Sequence, residues 1–169
     1  MQEDMISNNK IEYILGEVLC NNNLTISTAE SCTGGMIAAK LIAYPGISSS
    51  FIEGVVTYSN EAKIRRLGVK KETLDIYGAV SQETAKEMAE GIARESNSNV
   101  SIATTGIAGP GGGTSKKPVG LVYIAVHLNN KTIIEKCNFN GDREYVRTSA
   151  TNYALQMFKR ELENAGYRF

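Results

Sequence analysis

Strands and helices alternate along this sequence, which predicts an α/β protein: a three-layer α/β/α sandwich around a mixed β-sheet. Three observations carry that expectation. Apolar residues recur at helical spacing in several segments, short β-rich runs stand between them, and Asn129-Asn130 separates two apolar runs late in the chain. The last signal is a hairpin, which must be antiparallel, whereas the strand-helix-strand units before it favour parallel pairing. Hence the sheet is mixed. A length of 169 residues fits one domain spanning 1–169.

Ile11, Ile14, Leu15, Val18 and Leu19 share one helical face, so residues 8–21 read as an amphipathic helix that Asn21 to Asn23 stop. Thr25 to Ala29 follows as a short strand. From Cys32 through Ile42 the chain starts with Thr33 and two glycines and then turns helical, until Pro45 and Gly46 close the unit. Phe51 to Tyr58 is rich in β-formers, and Ser59 reads as the N-cap of a helix over Asn60 to Leu67, with Glu61 in its favoured first turn. Residues 70–77 form a short helix. Ser81 caps a longer one reaching about Ser96, with Ala85, Met88, Ala89 and Ile92 on one face. Val100 to Thr104 reads as a buried strand, and Thr105 to Pro118 as an irregular loop of five glycines and two prolines. Val119 to Leu128 and Thr132 to Phe139 are the hairpin strands. Asp142 caps a final helix over 143–164, with Val146, Ala150, Tyr153, Ala154 and Met157 facing inward.

Lys plus Arg number 18 and Asp plus Glu number 18, so the formal charge is zero at pH 7. Binding to nucleic acid or an acidic membrane draws on surplus cations, so neither partner is expected. With 42% hydrophobic and 21% charged residues the chain can bury a core. Cys20, Cys32 and Cys137 are odd in number and far apart, which suits a reducing, cytoplasmic home better than a disulfide framework or a zinc site. The first ten residues carry acids and no apolar stretch, and Val119 to Leu128, the longest apolar run, is too short for a bilayer. No targeting segment or anchor is expected. His127 is the single histidine, so a multi-histidine metal site is impossible and any imidazole base would have to be this one.

Chemistry concentrates in a few segments. Ala29-Glu30-Ser31-Cys32-Thr33-Gly34-Gly35 puts a hydroxyl and a thiol where a strand hands over to a helix, with unpaired backbone N–H groups able to hold an oxyanion. The plain alternative is a helix cap followed by packing glycines. Ser31 and Cys32 compete as nucleophile, and His127, on a strand face with Leu121, Tyr123 and Ala125, is the poorer base for either. A lysine made neutral by burial remains, and Lys63 is placed to be it. Tyr58 ends the strand before the helix bearing Lys63, so one junction can aim phenol and amine at one cleft. Otherwise they are an edge aromatic and a solvated charge. The glycine loop from Thr105 through Gly106 and Gly109 can present successive N–H groups to an anion, yet it matches neither a Walker A loop nor GxGxxG. Arg143 and Arg147 lie four apart on the last helix, and Arg147 borders its apolar stripe, which turns it inward.

AESCTGG, TYSNEAK, GAVSQET, TGIAGPGGGT with KPVG, and NGDREYVR, in that order, resemble the C-terminal domain of the CinA (competence/damage-inducible) family over residues 8–163. The resemblance implies a nicotinamide-nucleotide amidohydrolase that converts nicotinamide mononucleotide to nicotinic acid mononucleotide and ammonia without metal or other cofactor. It implies Ser31 as nucleophile assisted by Lys63 and Tyr58, with Thr105 and Arg147 holding substrate. Cys32, Thr33, Gly34, Gly35, Gly106 and Gly109 join them as the expected substrate-binding backbone. Longer members carry an N-terminal molybdopterin-binding-like domain, and no activity of that domain is expected from this sequence. A homodimer is the default expectation for a small enzyme. Two rivals stand beside the enzyme: a non-catalytic nucleotide-binding module, and an interaction domain in competence or DNA-damage responses.

Overall fold

The computed structural model describes residues 10–169. Five strands form one sheet in the order β2-β1-β3-β4-β5: β1 (Ile26–Glu30), β2 (Phe51–Val56), β3 (Val100–Gly106), β4 (Leu121–Leu128) and β5 (Lys131–Asn138). β1 runs parallel to both β2 and β3, while β3 to β5 are antiparallel neighbours. The mixed sheet is as predicted. Asn129 and Asn130, with φ of 53° and 59°, make the tight turn between β4 and β5.

Side chains alternate across the sheet, and the two faces bury different chemistry. On one face Ile26, Val100, Ile102, Val122, Ile124 and Val126 pack beneath α1 (Ile11–Asn21), α2 (Met36–Leu41) and α6 (Arg143–Asn164). On the other, Ala29, Ala103 and Ala125 form a cross-strand row beneath α3 (Asn60–Leu67), α4 (Lys71–Tyr77) and α5 (Gln82–Ser96). Small residues there let α5 lie close, and Ser101 Oγ donates to the Ala89 carbonyl at 2.6 Å. Gly91 is needed on that helix, because a Cβ would stand 2.1 Å from the Leu67 carbonyl oxygen of α3.

Three predicted caps form: Ser59, Ser81 and Asp142 accept from the backbone N–H groups of Ala62, Thr84 and Tyr145. Several boundaries move. α1 starts at Ile11, and residues 8 and 9 lie outside the described chain. The helix expected to begin near Cys32 starts at Met36, because residues 31–35 are spent on a turn. Thr105 and Gly106 belong to β3, where their ladder with β4 continues, and Val119 and Gly120 form a turn instead of opening β4. Tyr153 does not face inward. It is 37% exposed, its ring edge-on to Phe139 and its hydroxyl donating to Glu135, because Leu155, Phe158 and Leu162 complete the buried stripe instead.

Candidate active site

β1 leads out to β2 on one side while β3 continues the sheet on the other, so a crevice opens beyond the carboxyl ends of β1 and β3, the usual ligand position in such sheets. Ser31 is the first residue past β1. Its N–H donates to the Thr104 carbonyl (3.0 Å), and Thr57 N–H donates to the Glu30 carbonyl (3.0 Å), so the ends of β2 and β3 both hold it. The chain then reverses through Gly34 and Gly35, whose φ of 61° and 94° an L side chain would resist. A Cβ on Gly34 would also come within 3.0 Å of the Arg147 guanidinium.

Alternation sends Ser31 to the same side of the sheet as Ala29, where α3 lies. The Ser59 cap starts α3 immediately after β2, so Lys63 sits one turn in and points back over the strand ends. Its Nζ lies 3.2 Å from Ser31 Oγ, 2.8 Å from the Thr57 carbonyl and 3.2 Å from the Tyr58 carbonyl. Lys63 is 1% exposed and forms no ion pair among the described residues. Burial therefore lowers its pKa from the ordinary lysine value, with the nearby Cys32 thiol acting weakly in the opposite sense. Two carbonyls and one hydroxyl are three acceptors, as many as an ammonium has N–H groups; once neutral, the amine keeps two donors for the carbonyls and turns its lone pair to the serine hydroxyl.

Cys32 is packed into the apolar cluster under α2 and α6, and burial pushes its thiol up to about 12. It carries almost no thiolate at neutral pH. Cys32→Ala is accordingly expected to change turnover by less than about threefold while costing ~1–2 kcal/mol of stability from lost packing, read by ammonia release and denaturant unfolding.

The turn's polar groups are divided between two charged side chains. The Glu30 carboxylate, buried on the α2 side, accepts from Thr33 Oγ1 (2.6 Å) and from the N–H groups of Gly35 (3.0 Å), Ile37 (3.1 Å) and Ala38 (2.9 Å). Arg147 donates through Nε to the Cys32 carbonyl (3.1 Å) and through Nη2 to the Thr33 carbonyl (3.2 Å). Gly34 N–H goes to the Ser31 carbonyl. Thus the expectation of free amides from Cys32 to Gly35 is corrected at Gly34 and Gly35. The N–H groups of Cys32 and Thr33 have no backbone acceptor among the described residues.

Other expected residues fall differently. The Tyr58 phenol makes no hydrogen bond to Lys63 or Ser31; 63% exposed, it accepts from Arg143 Nη2 (3.2 Å), and only its backbone carbonyl serves the lysine. The Thr105 hydroxyl is turned away, buried and donating to the Ala79 carbonyl (2.7 Å). Gly106 sits inside β3 against Leu121 and Val122, and the Gly109 carbonyl accepts from Arg143 Nη1 (2.8 Å). Arg143 therefore ties the glycine loop to Tyr58. Neither the role of Glu30 nor the part of Arg143 beside Arg147 is expected from the sequence pattern. The signal for Glu30 was present: in ISTAE it shares strand parity with Ile26, which points a carboxylate to the core side just before a Gly-Gly turn.

Two concavities bear on binding. One of about 350 Å³ is lined by Met36, Arg143, Glu144, Arg147 and Thr148, beside the turn. The larger, about 810 Å³, lies at the far end of α6 between Ile14, Val18, Lys159, Tyr167 and Phe169, away from Ser31. Among the described residues no group of three or more His, Cys, Asp or Glu side chains could hold a metal ion.

Fold and site together define an α/β sandwich protein with a buried hydroxyl–amine pair at the strand ends. This chain belongs to the CinA C-terminal domain family, whose sequence model matches residues 8–162. It is 56% identical over 153 residues to a competence-damage inducible protein of Clostridium botulinum strain Okra, covering 90% of this chain and 37% of the relative. The Clostridium perfringens counterpart is 57% identical over 153 residues, with the same coverage. The chain thus spans little more than a third of the length of these curated relatives. Among solved structures, the competence/damage inducible protein CihA of Agrobacterium tumefaciens superposes with a TM-score of 0.86 at 41% identity, over 89% of this chain and 92% of that one. A CinA superfamily protein of Escherichia coli gives 0.87 at 36% identity, over 90% and 88%.

Proposed function

We propose that this domain is a serine amidohydrolase that converts nicotinamide mononucleotide and water to nicotinic acid mononucleotide and ammonia. Support comes above all from one observation: Lys63, buried and without an ion pair among the described residues, lies 3.2 Å from Ser31 Oγ. Neutral Lys63 accepts the Ser31 proton as Oγ attacks the carboxamide carbon. The carbonyl oxygen becomes an oxyanion facing the Cys32 and Thr33 N–H groups. Collapse breaks the C–N bond, and Lys63 returns the proton to departing ammonia. Water then attacks the acyl-serine ester, gives its proton to Lys63, and Ser31 recovers it as the acid leaves. The direct transfer needs no phenol between hydroxyl and amine, and Tyr58, held by Arg143, belongs to the substrate side of the cleft.

The phosphate of the substrate is assigned to the cavity that Arg143 and Arg147 line. Two of the Arg147 nitrogens already serve the turn, whereas Arg143 holds neutral acceptors near the surface that a dianion would displace. Arg143→Ala should raise KM for nicotinamide mononucleotide about tenfold with little change in kcat, and leave KM for the riboside, which has no phosphate, unchanged. Equal effects on both substrates would place the phosphate elsewhere.

The three free cysteines fit a reducing compartment, and no helix of the described residues is long and apolar enough to cross a membrane. Ammonia release from nicotinamide mononucleotide, followed with and without a chelator, tests the proposed activity. Turnover should be the same in both arms. Loss of turnover that zinc or magnesium restores would contradict the mechanism, and binding without turnover across a panel of amides would favour a nucleotide-binding module instead.

A further inference from the structure

The Ser31–Gly35 turn carries two charged clamps, and one of them, Glu30, has no part in the chemistry proposed above. Resting on that proposal, we infer that Glu30 is a positioning residue: its carboxylate holds the turn in the shape that presents Ser31 and the Cys32 and Thr33 amides to the substrate carbonyl. It is fully buried and has no cationic partner among the described residues; four donors stand in for one. Oε2 takes Thr33 Oγ1 and the N–H groups of Gly35 and Ile37, and Oε1 takes that of Ala38. Since the Thr33 hydroxyl donates to Glu30, the Thr104 hydroxyl, 2.7 Å away, must donate to Thr33. A chain of bonds therefore runs from β3 through the turn to the start of α2.

The consequence is a partition of the turn's hydrogen-bonding groups. Glu30 takes N–H groups at the start of α2, Arg147 takes the Cys32 and Thr33 carbonyls, and Thr104 and Ser31 carbonyls take the amides of Ser31 and Gly34. The Cys32 and Thr33 amides are left without a backbone acceptor among the described residues, and these are the ones the proposed mechanism offers to the oxyanion. Without the Glu30 carboxylate the turn would lose the anchor that fixes Ser31 against Lys63.

Glu30→Gln tests this with little change in shape. Whichever way the amide lies, its NH2 group meets at least one N–H donor where an acceptor stood. Two assays follow it: hydrolysis of nicotinamide mononucleotide, and labelling of Ser31 by a fluorophosphonate, in which the Oγ–P bond forms, fluoride leaves and Lys63 takes the serine proton. The expected result is a cooperatively melting protein with kcat and labelling rate both about 10²-fold lower and KM within about twofold. Wild-type rates in a folded Glu30→Gln protein would overturn the inference while leaving the proposed function standing. A raised KM with unchanged kcat would overturn it as well, because Glu30 would then act on binding. If the wild type labels at Ser31 yet releases no ammonia, the proposed substrate is wrong and the labelling arm still decides the role of Glu30. If Glu30→Gln does not fold, Thr33→Val removes one of the four donors and is judged by the same criteria with a smaller expected loss. A wild type that neither labels nor turns over overturns both.

Discussion

Ser31→Ala should abolish amide hydrolysis, lowering kcat by about 10⁴-fold or more, as removal of a nucleophile does when acid–base and oxyanion groups depend on it. The fold should survive, since the Oγ makes one described hydrogen bond, to Lys63, which keeps the Thr57 and Tyr58 carbonyls. Ammonia release with a thermal melt on the same preparation separates lost chemistry from lost structure. Cys32 offers a sharp internal comparison one residue away. Its thiol, pushed up to about 12, cannot replace the hydroxyl. Should Cys32→Ala prove the more damaging change, the nucleophile would be the thiol and the serine mechanism would fall.

Lys63→Met and Lys63→Arg should each lower kcat by roughly 10²- to 10⁴-fold. Arginine keeps the positive charge but cannot become neutral at working pH, so an equal loss in both variants identifies the lone pair, and not the charge, as the requirement. The same lysine makes stability pH-dependent. Its folded pKa lies below the unfolded value near 10.5, so between the two the unfolded chain binds more protons and stability rises with pH. Below the folded pKa, the cost of charging a buried amine is present in full; above about 10.5 it has vanished. Denaturant unfolding across that window should show a rise in the wild type that Lys63→Met lacks. Parallel curves would mean that burial does not depress this amine.

How far the sequence could be read differs from element to element for physical reasons. Ser59, Ser81 and Asp142 announce their helices because a capping oxygen acts on N–H groups two or three residues away, and Asn129-Asn130 sets its own turn by the same locality. Ser31 is likewise legible locally, because it stands where a strand hands over to a helix. The Ser31–Lys63 contact spans 32 residues and depends on how α3 lies over β1, so local pattern could nominate both partners but not their meeting. Tyr58 illustrates the limit: its position beside Lys63 is local, yet the direction of its phenol is set by Arg143, 85 residues further on. Thr105 likewise reads as loop because glycines follow it, whereas pairing with Tyr123 keeps it in β3 and sends its hydroxyl to Ala79. Glu30 escaped notice because a carboxylate serving backbone amides leaves no pattern of charges to find.

Everything in the mechanism turns on whether Lys63 can be uncharged where it sits. Selective ¹³C labelling of the lysine ε-carbons, with Lys63 assigned by comparison with Lys63→Met, lets its titration be followed directly by NMR. The account predicts a midpoint below the ordinary 10.5, shared with the rising limb of kcat/KM against pH. A midpoint at or above 10.5, or a kcat/KM profile that ignores it, would contradict the serine–lysine account.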